Sequence, residues 1–323
     1  MKKFEYIEAE DLEDLLSILW DFKNEARVIA GGTDLLSIFK DQYLLSYPKL
    51  VVNAKPVKEL DYVYIEGGIL KIGALTRLST LLSHPLVIEK FPIIKEAIMT
   101  IATPQIRNVG TVGGNLCQDI RCWYYRYPAR LGGPLICLRK GGKTCLAIRG
   151  DNRYHALIGK RCYAVCPSDL AIVLCCLNAE IIVVKKKNQR KLDVQSLYTP
   201  LGLSLQPDEI VKEIQVPCNY GFRQRFIKFT IRRPIDFAVL SLAGQLKFEK
   251  KDLSKWIITF GGISYRPEVV VVTKYFQKNE KTVEKLLEEI VRSVLVKAKP
   301  LTKNAYKIPL LKGLSRKLIH SLM

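Results

Sequence analysis

The chain has few histidines and lacks the signatures of most well-known site chemistries. Its three histidines, His84, His155 and His320, are scattered, which leaves no histidine cluster for a metal and no Ser/His/Asp arrangement for nucleophilic catalysis. No G-x-G-x-x-G follows a strand and no G-x-x-x-x-G-K-[ST] is present, which excludes a Rossmann or P-loop fingerprint. Zinc-finger spacing and the aromatic motif of ribonucleoprotein domains are missing as well. The formal charge of +20 therefore does not by itself indicate nucleic acid, and no nucleic-acid partner is expected. No apolar run approaches the ~20 residues of a membrane span, and Met1-Lys2-Lys3-Phe4-Glu5 opens no signal-peptide hydrophobic region. The expectation is a cytoplasmic protein with no membrane span.

What is present can fill proper cores. With 323 residues, 48% of them apolar, two or three compact units are expected. Residues 4–9 read as a strand, and 11–22 as a helix carrying Leu12, Leu15, Leu16 and Leu19 at helical spacing. A strand over 27–30 delivers the pair Gly31-Gly32, and Asp34 is placed to cap the helix that follows. Residues 50–53 read as a buried strand, and 61–73 as a hairpin turning at Gly67-Gly68. Helices are expected over 78–82, 86–102 and 168–177, the last carrying Cys175 and Cys176 as small core residues. Strands follow over 179–184, 208–216, 224–231, 237–248 and 255–260, then an amphipathic helix over 283–296. Lys185, Lys186, Lys187, Arg190 and Lys191 read as a solvated hairpin tip.

Two glycine-pair stretches stand out. Ala30-Gly31-Gly32-Thr33-Asp34-Leu35-Leu36 is one; Thr103-Pro104-Gln105-Ile106-Arg107-Asn108-Val109-Gly110-Thr111-Val112-Gly113-Gly114-Asn115 is the other. Glycine lets a backbone approach a phosphate closely and tolerates positive φ, so two such loops could clamp one diphosphate. In this order and with these neighbours the pair resembles the flavin-carrying medium subunits of the molybdenum hydroxylases, the xanthine dehydrogenase and carbon monoxide dehydrogenase family. The likeness runs on through Cys162-Tyr163-Ala164-Val165-Cys166-Pro167-Ser168-Asp169-Leu170 and Phe260-Gly261-Gly262-Ile263. It implies an α+β chain with the two-lobed FAD-binding fold of the vanillyl-alcohol-oxidase and molybdopterin dehydrogenase type, followed by a C-terminal α/β domain of the CO dehydrogenase flavoprotein type. The expected division is a first lobe over 1–55, a second lobe over 56–217 with an insertion at about 117–166, and a C-terminal domain over 222–323.

The resemblance also assigns roles. Flavin contacts are implied at Ile29, Ala30, Gly31, Gly32, Thr33, Asp34 and Leu35, and at Thr111, Val112, Gly113, Gly114 and Asn115. Asp119 and Asp169 stand beside them, with capping or turn formation as the alternative role. Lys228 matches a position near the flavin ring, where a positive charge would favour reduced flavin; Arg232 and Arg233 lie close by in sequence. No substrate chemistry is expected on this chain, because the molybdopterin-binding large subunit and the 2Fe–2S small subunit of the implied heterotrimer would carry it.

Six of the nine cysteines, Cys117, Cys122, Cys137, Cys145, Cys162 and Cys166, fall between Asn115 and Ser168. Without an export signal they point to thiols or metal ligands rather than disulfides, and a long stretch with little periodicity needs some crosslink. Zinc would suit four cysteines, but only Cys162-x-x-x-Cys166 approaches the usual close pairing; an iron–sulfur cluster tolerates wider loops. The run Asn115-Leu116-Cys117-Gln118-Asp119-Ile120-Arg121-Cys122, with Ile136-Cys137, Lys143-Thr144-Cys145 and Arg161-Cys162, is similar to the branch of the family formed by the beta subunit of 4-hydroxybenzoyl-CoA reductase. That branch implies a 4Fe–4S cluster held by Cys122, Cys137, Cys145 and Cys162, with Cys166 competing for the fourth place and Cys117 outside the set. The implied function is electron transfer between a donor such as ferredoxin and the molybdenum subunit. The alternatives are the FAD subunit of an oxidising xanthine, aldehyde or CO dehydrogenase, and a zinc-stabilised scaffold. Between residues 121 and 161 ten basic residues face one acidic residue, Asp151, an excess expected to steer an acidic ferredoxin through Arg139, Lys140 and Lys143.

Overall fold

The structure, a computed structural model, describes residues 1–218, 220–232, 235–249, 252–274 and 283–323. Arg233 lies outside the described residues. The chain opens with β1 (Glu5–Glu8), α1 (Leu12–Phe22), β2 (Ala26–Ile29), α2 (Leu35–Asp41) and β3 (Leu50–Asn53). β1 and β2 both pair with β3 in parallel. Asp11 caps α1 by accepting the Asp14 amide at 2.8 Å, and the helix buries Leu15, Leu16 and Leu19 against the sheet.

The second sheet collects strands from distant parts of the chain. β4 (Val63–Glu66) and β5 (Ile69–Gly73) form the expected hairpin, with Gly67 and Gly68 both at positive φ. After five short helices, α3 (Leu78–Ser83), α4 (Pro85–Lys90), α5 (Pro92–Met99), α6 (Pro104–Val109) and α7 (Val112–Cys117), the chain makes a long irregular excursion. It returns in α8 (Asp169–Cys176), β6 (Glu180–Lys185), β7 (Asn188–Asp193), the short pair β8 (Tyr198–Thr199) and β9 (Gly202–Leu203), and β10 (Ile210–Pro217). The order is β4-β5-β10-β6-β7, antiparallel throughout. The period of two decides its faces: Ile181 and Val183 point to the helices, while Ile182 and Val184 pack on the first lobe.

The C-terminal part is an antiparallel meander of β11 (Arg223–Phe229), β12 (Leu240–Glu249), β13 (Asp252–Gly261) and β14 (Glu268–Val271), covered by α9 (Val283–Leu295) and α10 (Lys307–Leu322). α8 is buried at every position, packing against β12 and β13 and sharing a core with Ile181 and Ile214 of the five-stranded sheet, as an all-round apolar helix must.

Two expectations need correcting. The helix foreseen over 86–102 is two helices, because Pro92 lacks the amide that would continue α4 and instead starts α5. Gly113 and Gly114 lie in the first turn of α7, not in a loop, because Thr111 caps that turn. The basic hairpin tip is exposed from Lys186 to Lys191, as expected, with Arg190 pairing at 2.8 Å with the buried Glu209 and Lys191 pairing with Glu180. α10 escapes sequence reading because its buried face includes Lys307 and Ser315, which break the apolar period.

Candidate functional site

The two glycine stretches meet. A Cβ on Gly31 would sit 2.1 Å from the Val109 carbonyl oxygen, so only glycine allows the α6–α7 junction to lie on the β2–α2 loop. Gly32 has φ +69, the left-handed region that penalises other residues. Their amides are in different states. Among the described residues, those of Gly31, Gly32, Thr33 and Asp34 meet no acceptor. Those of the second stretch are taken: Val112 donates to Thr76 O, Gly113 to Ala74 O, Gly114 to Thr111 Oγ1 and Asn115 to Thr111 O. The Asn115 side-chain oxygen accepts the Ser168 hydroxyl at 2.7 Å, which leaves its amide nitrogen as the donor.

Asp34 does not cap α2. Its carboxylate turns towards the long excursion, accepting the Asp119 amide at 2.7 Å and the guanidinium groups of Arg121 and Arg126. Arg139 pairs with Asp119 at 3.1 Å. The reason is competition: two charged donors and a backbone amide outweigh one helix-end amide. Lys228 is similarly engaged. It pairs with Asp169 at 2.8 Å, both side chains less than a tenth exposed, and donates to Thr100 O. The positive charge expected at that position is therefore paired with a buried carboxylate.

Residues 117–166 contain only three-residue helical turns, at Ala129–Leu131, Leu138–Lys140 and Leu146–Ile148. They are held from both sides. Ile120, Tyr125, Cys137 and Cys162 share a core with Ile38, Phe39 and Tyr43 of the first lobe. On the other side Asn304 donates to the carbonyls of His155 and Ala156, and Lys307 to those of Tyr154 and Gly262.

Cys122, Cys137, Cys145 and Cys162 line one cavity with Tyr124 and Arg139. The cavity measures about 10 Å³, so the thiols are close to one another. The neighbouring Cys162 thiol holds the Cys145 pKa below the usual thiol range, Cys145 and burial push that of Cys162 up, and burial pushes Cys122 up to about 11. The Ala164 amide donates to Cys162 Sγ at 3.4 Å. His155, expected at the surface or satisfied, is buried, with Nε2 3.2 Å from Cys122 Sγ and Nδ1 without a partner. Burial, and next the charge of Lys307, lower its pKa to about 4. Sequence gave no signal for this histidine, because 33 residues separate it from Cys122. Among the described residues no group of three or more His, Cys, Asp or Glu stands in metal-binding geometry. The donor types still suit an anionic thiolate-bound group, since four cysteines line one cavity, the Ala164 amide donates to Cys162, and the Lys140 ammonium is buried with no hydrogen-bond partner among the described residues.

The other thiols sit elsewhere. Cys166, Cys175 and Cys176 belong to the core of the second lobe, with Cys117 packed against it. Burial pushes Cys117 and Cys166 up to about 12.

The basic residues divide too. Arg121, Arg126, Arg139 and Lys140 turn inward, whereas Arg130, Lys143, Arg149, Arg153, Lys160 and Arg161 are exposed. Arg139 and Lys140 are therefore not a docking surface, because their charges serve the interior.

A glycine cradle with open amides, joined to a two-lobed scaffold, defines a nucleotide-cofactor protein, and comparison with known proteins gives the family. Residues 2–219 match the family model described as the FAD binding domain in molybdopterin dehydrogenase. The chain belongs to that family: it is an FAD-binding medium subunit of the molybdenum hydroxylase type, a subunit of an oxidoreductase. It is 28% identical over 254 residues to the aldehyde oxidoreductase FAD-binding subunit PaoB of Escherichia coli, covering 75% of this chain and 76% of that protein. It is 26% identical over 266 residues to the glyceraldehyde dehydrogenase medium chain of Sulfolobus acidocaldarius, covering 82% and 77%. The fold matches a carbon monoxide dehydrogenase structure from Hydrogenophaga pseudoflava with TM-score 0.77 at 18% identity, over 99% of this chain and 97% of that one. Among the described residues no helix is long and apolar enough to cross a membrane.

Proposed function

We propose that this chain is the electron-transfer flavoprotein subunit of a molybdenum hydroxylase-type complex, carrying FAD and a 4Fe–4S cluster. Its partners would be a molybdopterin-binding large subunit and a 2Fe–2S small subunit. The closest functional counterpart would be 4-hydroxybenzoyl-CoA reductase, with an external donor such as ferredoxin. The observation that carries this reading is the convergence of Cys122, Cys137, Cys145 and Cys162 on one cavity while Cys166 lies in another core. The division into 1–55, 56–217 and 222–323 belongs to the same reading.

FAD would exchange electrons singly or in pairs, and the cluster would store one at a time. The residues of this chain position both. The free amides of Gly31, Gly32, Thr33 and Asp34 would donate to the diphosphate, with Thr33, Thr111 and Asn115 adding side-chain donors. Ile29, Ala30 and Leu35 flank the cradle, and Val112, Gly113 and Gly114 hold Thr111 and Asn115 in register. Asp34 and Asp119 tie the cysteine segment to the cradle, and the Asp169–Lys228 pair fixes α8 against the C-terminal sheet.

Absorbance and electron paramagnetic resonance (EPR) spectra of the purified complex, with iron and sulfide analysis, test the reading. Flavin bands plus a broad visible shoulder and four irons per chain are expected. Flavin without iron would favour the FAD subunit of an oxidising dehydrogenase, the activity in the names of several relatives. A colourless zinc protein would reject both. Gly32→Val, which forces a β-branched residue to φ +69, should abolish FAD binding; a folded variant with full flavin would count against the cradle.

A further inference from the structure

Lys140 is 9% exposed, and among the described residues its Nζ has no hydrogen-bond partner. The ammonium lies over two rings, 5.5 Å from the Tyr43 centroid and 5.2 Å from that of Tyr125. Such cation–π contacts return less than burying an ion costs. An anion is needed for the rest. Neither neighbouring carboxylate is available to it. Asp119 is engaged by Arg139 and by the Ile120 amide, and Asp34 by Arg121 and Arg126. Burial keeps the Tyr43 phenol neutral. The thiol set is the larger influence left: the Lys140 amide closes a turn onto Cys137 O at 2.9 Å, and Cys137 and Cys122 act on its charge more strongly than Asp119 does.

We propose that Lys140, held on Tyr43 and Tyr125, is the counter-charge of the four-cysteine site, offsetting the negative charge of a cluster bound by Cys122, Cys137, Cys145 and Cys162 and raising its midpoint potential. The inference rests on the reading of those cysteines as cluster ligands. A four-thiolate cluster becomes more negative on reduction, so a fixed positive charge beside it stabilises the reduced state. Lys140 touches no ligand sulfur through a hydrogen bond, so it acts through the field and not as a ligand.

The test is an EPR-monitored redox titration of the complex with Lys140→Met and Lys140→Arg, alongside iron and FAD content. Lys140→Met should keep flavin and move the cluster midpoint to a more negative potential, with Lys140→Arg near wild type. An unchanged midpoint in an iron-loaded Lys140→Met protein would overturn the inference. Should Lys140→Met lose iron, retention by Lys140→Arg upholds a charge role, and loss by both variants overturns it in favour of packing. A wild-type complex without iron would overturn the ligand reading itself, a result distinct from iron-loaded proteins with equal potentials.

Discussion

Two sets of thiols lie a few turns apart in this chain and live in opposite environments. Cys122, Cys137, Cys145 and Cys162 face a cavity edged by amide donors and cations. Cys166, Cys175 and Cys176 are enclosed by leucine, isoleucine and valine, and Cys117 packs against the same core. In the first set the Cys162 thiol holds Cys145 below the usual thiol range, whereas burial pushes Cys122 up to about 11; in the second, burial is the largest influence and pushes Cys117 and Cys166 up to about 12. Cysteine is therefore a ligand candidate or a small hydrophobe according to what surrounds its sulfur, and four residues of sequence separate Cys162 from Cys166, which fall on either side of that line.

The sharpest way to break the comparison is substitution. Serine at Cys122, Cys137, Cys145 or Cys162 should each remove most of the iron while sparing FAD, whereas Cys166→Ser should keep it. If Cys166→Ser empties the site and Cys162→Ser does not, the division is wrong at that point. Alkylation of iron-free protein offers the next largest contrast. Cys145, held below the usual range by the Cys162 thiol, should react at neutral pH with a rate that levels off early as pH rises. Cys117 and Cys166, near 12, should stay orders of magnitude slower until the protein unfolds; peptide mapping would show equal labelling if the environments were alike.

Asp34→Asn should separate the sets by stability. It leaves Arg121 and Arg126 half-buried without their carboxylate, a loss of about 3 kcal/mol for a largely buried pair, and hydrogen exchange should rise in 117–166 but not in α8. Cys176→Ser places a hydroxyl in an apolar core at a cost of about 1–3 kcal/mol, lowering Tm without touching iron. The smallest effect is on docking. Reversing the exposed Lys143, Arg149, Lys160 and Arg161 to glutamate should slow electron exchange with ferredoxin several-fold at low ionic strength, the gap closing as the Debye length falls to ~8 Å at 0.15 M. Equal stopped-flow rates at low salt would assign those charges to solvent.

Much of the scaffold was legible in the sequence because local rules and tertiary needs agree there. The apolar β-branched run from Ile181 to Val184, the apolar spacing of α1 and α9, and the turn at Gly67-Gly68 each specify an element without reference to distant residues. The glycine pairs marked the stretches proposed as the cofactor cradle, and cysteine spacing together with family likeness marked the ligand candidates.

Other properties depend on groups far apart in the chain, and only the tertiary structure decides them. Asp34 has the sequence position of a cap, yet Arg121 and Arg126, 87 and 92 residues away, outcompete the helix end for its carboxylate. Gly113 and Gly114 read as a loop until Thr111, Thr76 and Ala74 take the amides of that turn. Lys140 looks like surface charge, His155 like a bystander and Lys228 like a free cation; their neighbours make the first a buried ion over Tyr43 and Tyr125, the second a contact of Cys122 and the third half of a pair with Asp169. Sequence determines where hydrogen-bonding and charged groups are available, because residue type sets that inventory. Which partner each one takes is a competition among groups brought together by folding, and the strongest, best-desolvated partner wins it.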